Sequence, residues 1–229
     1  MLYLILHSIE KKYPKMKTVF VMYMPGLAGN LINRLISLSP ETVPQLSIKQ
    51  LRAFKDRGQL PDFSDRRSLY SFHKATQFPS WQHFHRDCAD FYTRKFFEYL
   101  NEHFEEQFSC LVYAIHPVEF DLMYNHIRNS DDPIYRYVSL SEKYRPWVEH
   151  YRPLLGFRDR ENEAELHKRL QKEHNMQPIY LDQMLDSMSG FESEYLRIIQ
   201  DLGLTPEIEL ARDLFQEWLG LRGQCLDSR

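Results

Sequence analysis

Thr18-Val-Phe-Val-Met-Tyr-Met-Pro-Gly-Leu-Ala-Gly-Asn-Leu-Ile-Asn-Arg-Leu-Ile-Ser-Leu-Ser-Pro40 is the stretch on which the fold reading turns. Its first residues, up to Met24, form a β-branched and aromatic run that Pro25 ends. Leu31, Ile32, Leu35, Ile36 and Leu38 then recur at helical spacing until Ser39-Pro40 stops them. The segment reads as strand, tight loop, helix.

Working outward, the same alternation repeats. Strands are expected at 68–73, 109–115, 134–140 and 178–182, each a short apolar or β-branched run. Between them fall helical patterns. Ile48, Leu51 and Phe54 suggest a short surface helix, and Tyr92, Phe96, Leu100 and Phe104 place one apolar stripe along a helix over 87–104. Further helices are expected at 117–127 and 142–155, and a highly charged, exposed one at 161–175. At the end, Phe191, Tyr195, Ile198, Ile199 and Leu202 mark one helix. Thr205-Pro206 is expected as N-cap and first residue of another, which carries Ile208, Ala211, Leu214, Phe215 and Trp218. Strands that alternate with helices predict an α/β, three-layer domain with a mainly parallel sheet of about five strands flanked by helices.

Composition agrees with one such domain over 1–229, with 1–16 and 222–229 peripheral. The 229 residues are 43% hydrophobic and 14% aromatic, which excludes disordered and low-complexity classes. Lys+Arg 29 against Asp+Glu 32 gives a net charge of -3, so no nucleic-acid partner is expected and any anion site must be local. Cys88, Cys110 and Cys225 are an odd number without ligand-pair spacing, which fits a reducing, cytoplasmic setting. The apolar start at Met1–His7 is shorter than the ~7–15 residue core of a secretory signal, and no membrane anchor is expected.

In a parallel sheet, ligands sit beyond the carboxyl ends of the strands, so the loops after Met24, His73 and Ile115 are the first places to look. Pro25, Gly26, Leu27, Ala28, Gly29 and Asn30 form a glycine-containing loop that leads into a helix, the arrangement that turns backbone N–H groups toward a phosphate. Arg34 lies one turn further on the same helix face. The two glycines alone are equally those of a plain strand-to-helix turn. The loop has no Gly-Lys-Ser/Thr, which argues against ATP hydrolysis of the usual P-loop kind.

Residues 18–40 resemble the strand, 5′-phosphosulfate loop and helix of the sulfotransferase family. Ile179-Tyr-Leu-Asp-Gln-Met-Leu-Asp186, with the amphipathic helix that finishes at Asp201-Leu-Gly-Leu204, is similar to that family's late strand, acidic turn and flanking helix. The resemblance implies a P-loop-type α/β domain that moves a sulfonate from 3′-phosphoadenosine 5′-phosphosulfate (PAPS) to a hydroxyl. The chain departs from the family pattern at several places. Gly26 stands where the loop usually carries a lysine or arginine, and Asn30 where it carries a hydroxyl. Ile115-His-Pro117 lacks the arginine of the family's Arg-x-Pro, and Met123 stands near its serine position. His116, Arg128 or Arg136 are the candidates to replace the lost 3′-phosphate grip.

Sulfonate transfer needs a general base on the acceptor and cationic or N–H stabilisation of the leaving phosphate. His73, beside Lys74 at an expected strand end, matches the place where the family often sets its catalytic histidine, which makes His73 the candidate base and Lys74 its cationic neighbour. A histidine there serves equally as a structural hydrogen-bonding residue. His83 and His85 have metal-compatible spacing, but no third ligand accompanies them, and no metal is expected. The expected partners are a small-molecule or glycan acceptor, with a homodimer left open. The rival expectation is a P-loop-like nucleotide-binding or interaction module without catalysis, which the missing basic residues favour.

Overall fold

The computed structural model describes residues 17–24, 28–43, 56–58, 65–71, 108–117, 120, 124–125, 133–143 and 161–227. Four strands form one sheet: β1 (Lys17–Met22), β2 (Cys110–Ile115), β3 (Ile134–Leu140) and β4 (Gln177–Tyr180), in the order β2-β1-β3-β4. All three pairings are parallel. The helices are α1 (Gly29–Ser37), α2 (Arg66–Tyr70), α3 (Glu161–Glu173), α4 (Leu181–Asp186), α5 (Met188–Asp201) and α6 (Ile208–Asp227). The expected α/β class and parallel sheet are observed, with four strands among the described residues where about five were expected.

β1 is central because its residues are apolar on both sides, as a strand covered on two faces must be. Val19 and Val21 point to one face, where they pack with Leu31, Ile32, Leu35 and Ile36 of α1 and with Phe191, Ile198, Leu214 and Phe215 of α5 and α6. The Phe191 and Phe215 rings stack at 4.1 Å between centroids. Phe20 and Met22 point to the other face, against Phe120, Leu170 of α3 and Met176. Burying each such side chain contributes roughly 1.5–3 kcal/mol, which makes the two-faced packing of β1 the main anchor of the fold. Among the described residues, no helix is long and apolar enough to cross a membrane.

α5 shows how local sequence sets an element's limits. The Ser187 hydroxyl accepts from the Gly190 N–H at 3.0 Å and caps its start. At its end Gly203 takes φ +57°, the Gly203 N–H donates to the Gln200 carbonyl at 2.9 Å and the Leu204 N–H to that of Ile199 at 3.0 Å. This is the Schellman arrangement that a Leu-Gly-Leu ending favours. Lys17 at the start of β1 donates to the Leu202 carbonyl at 2.6 Å, which adds a positive charge at the helix C-terminus.

Three expectations are corrected. Residues 66–70 are helix α2, so the expected strand at 68–73 is not one over its described part. Arg66 holds α2 in place: its guanidinium donates to the carbonyls of Ser37 at 2.6 Å, Pro40 at 2.9 Å and Thr42 at 3.2 Å, which closes the C-terminus of α1. β4 ends at Tyr180, so Leu181 and Asp182 open α4 instead of extending the strand. α6 begins at Ile208, after Thr205-Pro206, because the Thr205 hydroxyl is bonded to the Glu41 carboxylate and does not cap the helix. The expected helices around Ile48 and over 87–104 lie outside the described residues, as does the expected helix at 142–155 beyond Lys143. Pro117, Phe120, Tyr124 and Asn125 are helical, as expected for 117–127, whose other residues are not among those described.

Candidate functional site

The strand order singles out the carboxyl edge of β1 and β3. α1, which follows β1, packs on the Val19 face, whereas α3, the next helix described after β3, packs on the Phe20 face. α1 and α3 thus lie on opposite faces of the sheet, and β1 and β3 are the adjacent strands at which the strand order changes direction, the position beyond whose carboxyl ends ligands bind in open parallel sheets. Met22 pairs with Val138 and with Ile115, and Leu140 with Tyr180, so residues 23–24, 116, 141–143 and 182 lie along one edge.

On the β1 side, Tyr23 continues the sheet by donating its N–H to the Ile115 carbonyl at 3.1 Å. Its ring packs directly on Gly29, where ring carbons lie 2.1 Å from the place a Cβ would take. No larger residue fits there without displacing the ring. The Tyr23 and His116 rings meet at 4.6 Å between centroids. Ala28, the N-cap of α1, has φ +54°, a left-handed conformation that residues with a Cβ rarely adopt, and it brings no side-chain acceptor. The first turn of α1 carries no acidic residue. The amino end of α1 is thus positive in character with no carboxylate of its own to neutralise it.

On the β3 side, Asp182 accepts from the Ser141 hydroxyl at 2.5 Å, the Glu142 N–H at 2.7 Å and the Lys143 N–H at 3.3 Å. Burial works to raise its pKa, but these hydrogen bonds and the Lys143 charge outweigh burial and hold the carboxyl below its ordinary range. Lys143 itself pairs with Asp186. The first turn of α4 thereby fixes the loop that leaves β3.

Of the residues singled out from sequence, Ala28, Gly29 and Asn30 at the start of α1 and His116 after β2 lie at this edge, with Gly29 and His116 each against the Tyr23 ring. Pro25, Gly26, Leu27, His73, Lys74, His83, His85 and Arg128 lie outside the described residues. Arg34 is buried and donates to the Tyr70 carbonyl at 3.1 Å. Burial lowers its pKa to about 10 against the opposing pull of Glu217 and Tyr70. Glu217 is itself buried and accepts from Arg67 at 2.6 Å and from the Ser71 hydroxyl at 2.7 Å. Arg34 thus belongs to a polar cluster between α1, α2 and α6. Arg136 sits opposite Phe20, four residues before the end of β3, or ~13 Å at the usual rise per residue. Its guanidinium donates to the Tyr124 hydroxyl at 3.2 Å.

Sequence reasoning missed Tyr23, Ser141 and Glu217 as members of these arrangements. Tyr23 had a local signal, since it is the last aromatic residue before a glycine-bearing turn. Ser141 and Glu217 had none, because their partners come from distant parts of the chain. Comparison with known proteins adds no relative: no family model, no curated protein and no solved structure matches this chain.

Proposed function

We propose that the chain binds a phosphorylated nucleotide at the carboxyl edge of the sheet, over the amino end of α1, that the nucleotide is PAPS, and that its sulfonate passes to a hydroxyl of a carbohydrate, lipid or small metabolite. The observation that carries the binding step is the junction of β1 and α1 at the carboxyl edge of the sheet, with a left-handed Ala28 and no carboxylate in the first helical turn. Strained backbone and an uncompensated helix N-terminus at such an edge suit an anion. The choice of PAPS and of sulfonate transfer comes from the resemblance of residues 18–40 and 179–204 to the sulfotransferase family.

In this reading the loop of residues 25–30 holds the 5′-phosphosulfate through its backbone N–H groups from Gly26 onward, and His116 lies beside the nucleotide. The acceptor oxygen attacks sulfur as the bond from sulfur to the bridging phosphate oxygen breaks. The acceptor proton passes to His73, Lys74 stabilises the charge that develops on the leaving phosphate, and 3′-phosphoadenosine 5′-phosphate departs. The test is transfer of labelled sulfonate from PAPS to a panel of hydroxylated glycans, lipids and phenols. Wild type is expected to transfer, and His73→Ala to lose ~10²–10⁴ in rate while still binding 3′-phosphoadenosine 5′-phosphate. Full activity of His73→Ala would move the base elsewhere.

A second reading, nucleotide binding without transfer, is favoured by one feature of the described residues. Arg34, expected near the leaving phosphate, donates to the Tyr70 carbonyl, and Arg136, a candidate for the 3′-phosphate grip, donates to Tyr124, so both guanidiniums have partners within the fold. Binding of the nucleotide without transfer to any acceptor would decide for it.

A further inference from the structure

β4 is short and, among the described residues, is the last strand of the sheet. A bare edge presents outward N–H and C=O groups to any strand that approaches. Here three of those groups, at Pro178 and Tyr180, are taken or absent. Pro178 has no N–H, and its carbonyl accepts from Arg197 Nη2 at 2.8 Å. The Tyr180 N–H donates to Glu194 Oε1 at 3.0 Å. The two α5 side chains are also bonded to each other, with Arg197 Nε to Glu194 Oε2 at 2.7 Å and Arg197 Nη2 to Glu194 Oε1 at 2.7 Å. Three residues apart on α5, they project from one helical face.

The pair is built to stay. Glu194 is only 2% exposed, and a carboxylate so buried needs a fixed, bidentate partner. Arg197, whose pKa is raised above the ordinary value chiefly by its hydrogen bond to Glu194, supplies one. A further strand would lie about 4.8 Å from β4, in the space these side chains fill. The edge they guard borders solvent, since the Tyr180 side chain is half exposed.

We infer that Glu194 and Arg197 form a lock that ends the sheet at β4 and keeps a second copy of this chain from pairing its own β4 there. Two copies related by a two-fold axis would otherwise join these edges antiparallel and make one continuous sheet.

Two measurements test the lock. The first is amide hydrogen exchange of the wild-type chain, in which the Tyr180 N–H should exchange as slowly as the interior amides of β3. Exchange at the rate of a solvent-exposed amide would overturn the inference without any variant. The second is sedimentation analysis of the variant Pro178→Val/Glu194→Leu/Arg197→Leu. It restores the missing N–H and removes both partners together, so no unpaired charge is left buried. Once circular dichroism shows it folded, its self-association should be at least about tenfold tighter than that of wild type. A folded variant that associates no more than wild type would contradict the lock. If the variant does not fold, the wild-type exchange rate decides.

Discussion

The ring of Tyr23 occupies the space that a Cβ on Gly29 would need, with ring carbons 2.1 Å from that position. The last residue of the strand extension and the first residue of α1 are therefore matched to each other. This gives Gly29 a packing role alongside the phosphate-facing one its place in the loop suggests. Gly29→Ala should destabilise the protein by about 1–3 kcal/mol, the usual range for overpacking. In a Tyr23→Ala background the same change should cost much less, because the obstructing ring is gone. Urea unfolding of the four proteins in this cycle reads the coupling directly. Equal costs in both backgrounds would show that the ring does not constrain Gly29.

Glu217 should prove one of the most sensitive polar positions in the fold. It is buried beside Arg34 and accepts hydrogen bonds from Arg67 and Ser71. Glu217→Ala removes a carboxylate whose charge acts on the Arg34 guanidinium and should cost about 3–5 kcal/mol in urea unfolding, as breaking one side of a buried charge cluster does. Arg34→Met combined with Glu217→Leu should recover part of that loss, since no buried charge is left behind. A double variant as unstable as Glu217→Ala would place the cost in lost packing instead.

The Asp182 clamp predicts a pH dependence with a definite sign. The folded-state pKa lies below the unfolded value of ~3.9, so the stabilising contribution is fully present above the unfolded value. It is lost as pH falls through the lower folded pKa. The stability difference between wild type and Asp182→Asn should thus be constant from pH 7 to 5 and shrink below pH 4. Unfolding midpoints measured across that range provide the check, and a difference that persists undiminished at pH 2.5 would exclude the carboxylate as its source.

Periodicity makes most of the framework legible in the sequence. Ile134–Leu140 has the bounds expected, β1 and β2 match to within two residues, and the charged run at 161–175 is helix α3. Residues 68–73 misled because Leu69 and Tyr70 within an apolar run suit a half-buried strand. What decides the matter is Arg66, whose guanidinium needs three carbonyls at the end of α1, a tertiary demand no local pattern encodes. The site was legible only in part for a similar reason. Helical spacing put Arg34 one turn past Asn30, but its direction is set by Tyr70 and Glu217, both distant in sequence. The shared carboxyl edge beyond Met24 and Ile115, by contrast, follows from parallel strand direction, which alternation of elements already implied, whereas the order β2-β1-β3-β4 rests on tertiary pairing that no local pattern encodes.

The most direct test of the central claim is an amide-resolved titration of the isotope-labelled chain with 3′-phosphoadenosine 5′-phosphate, followed by nuclear magnetic resonance. The account predicts saturable shifts of the Ala28, Gly29 and Asn30 amides and of the His116 ring, with the Glu192 and Arg212 amides, whose side chains pair between α5 and α6, unmoved. A ligand bound at 100 times its Kd should also raise stability by about 2.7 kcal/mol. No shift at residues 28–30 at millimolar nucleotide, or saturable shifts confined to another part of the chain, would contradict a nucleotide site at the amino end of α1.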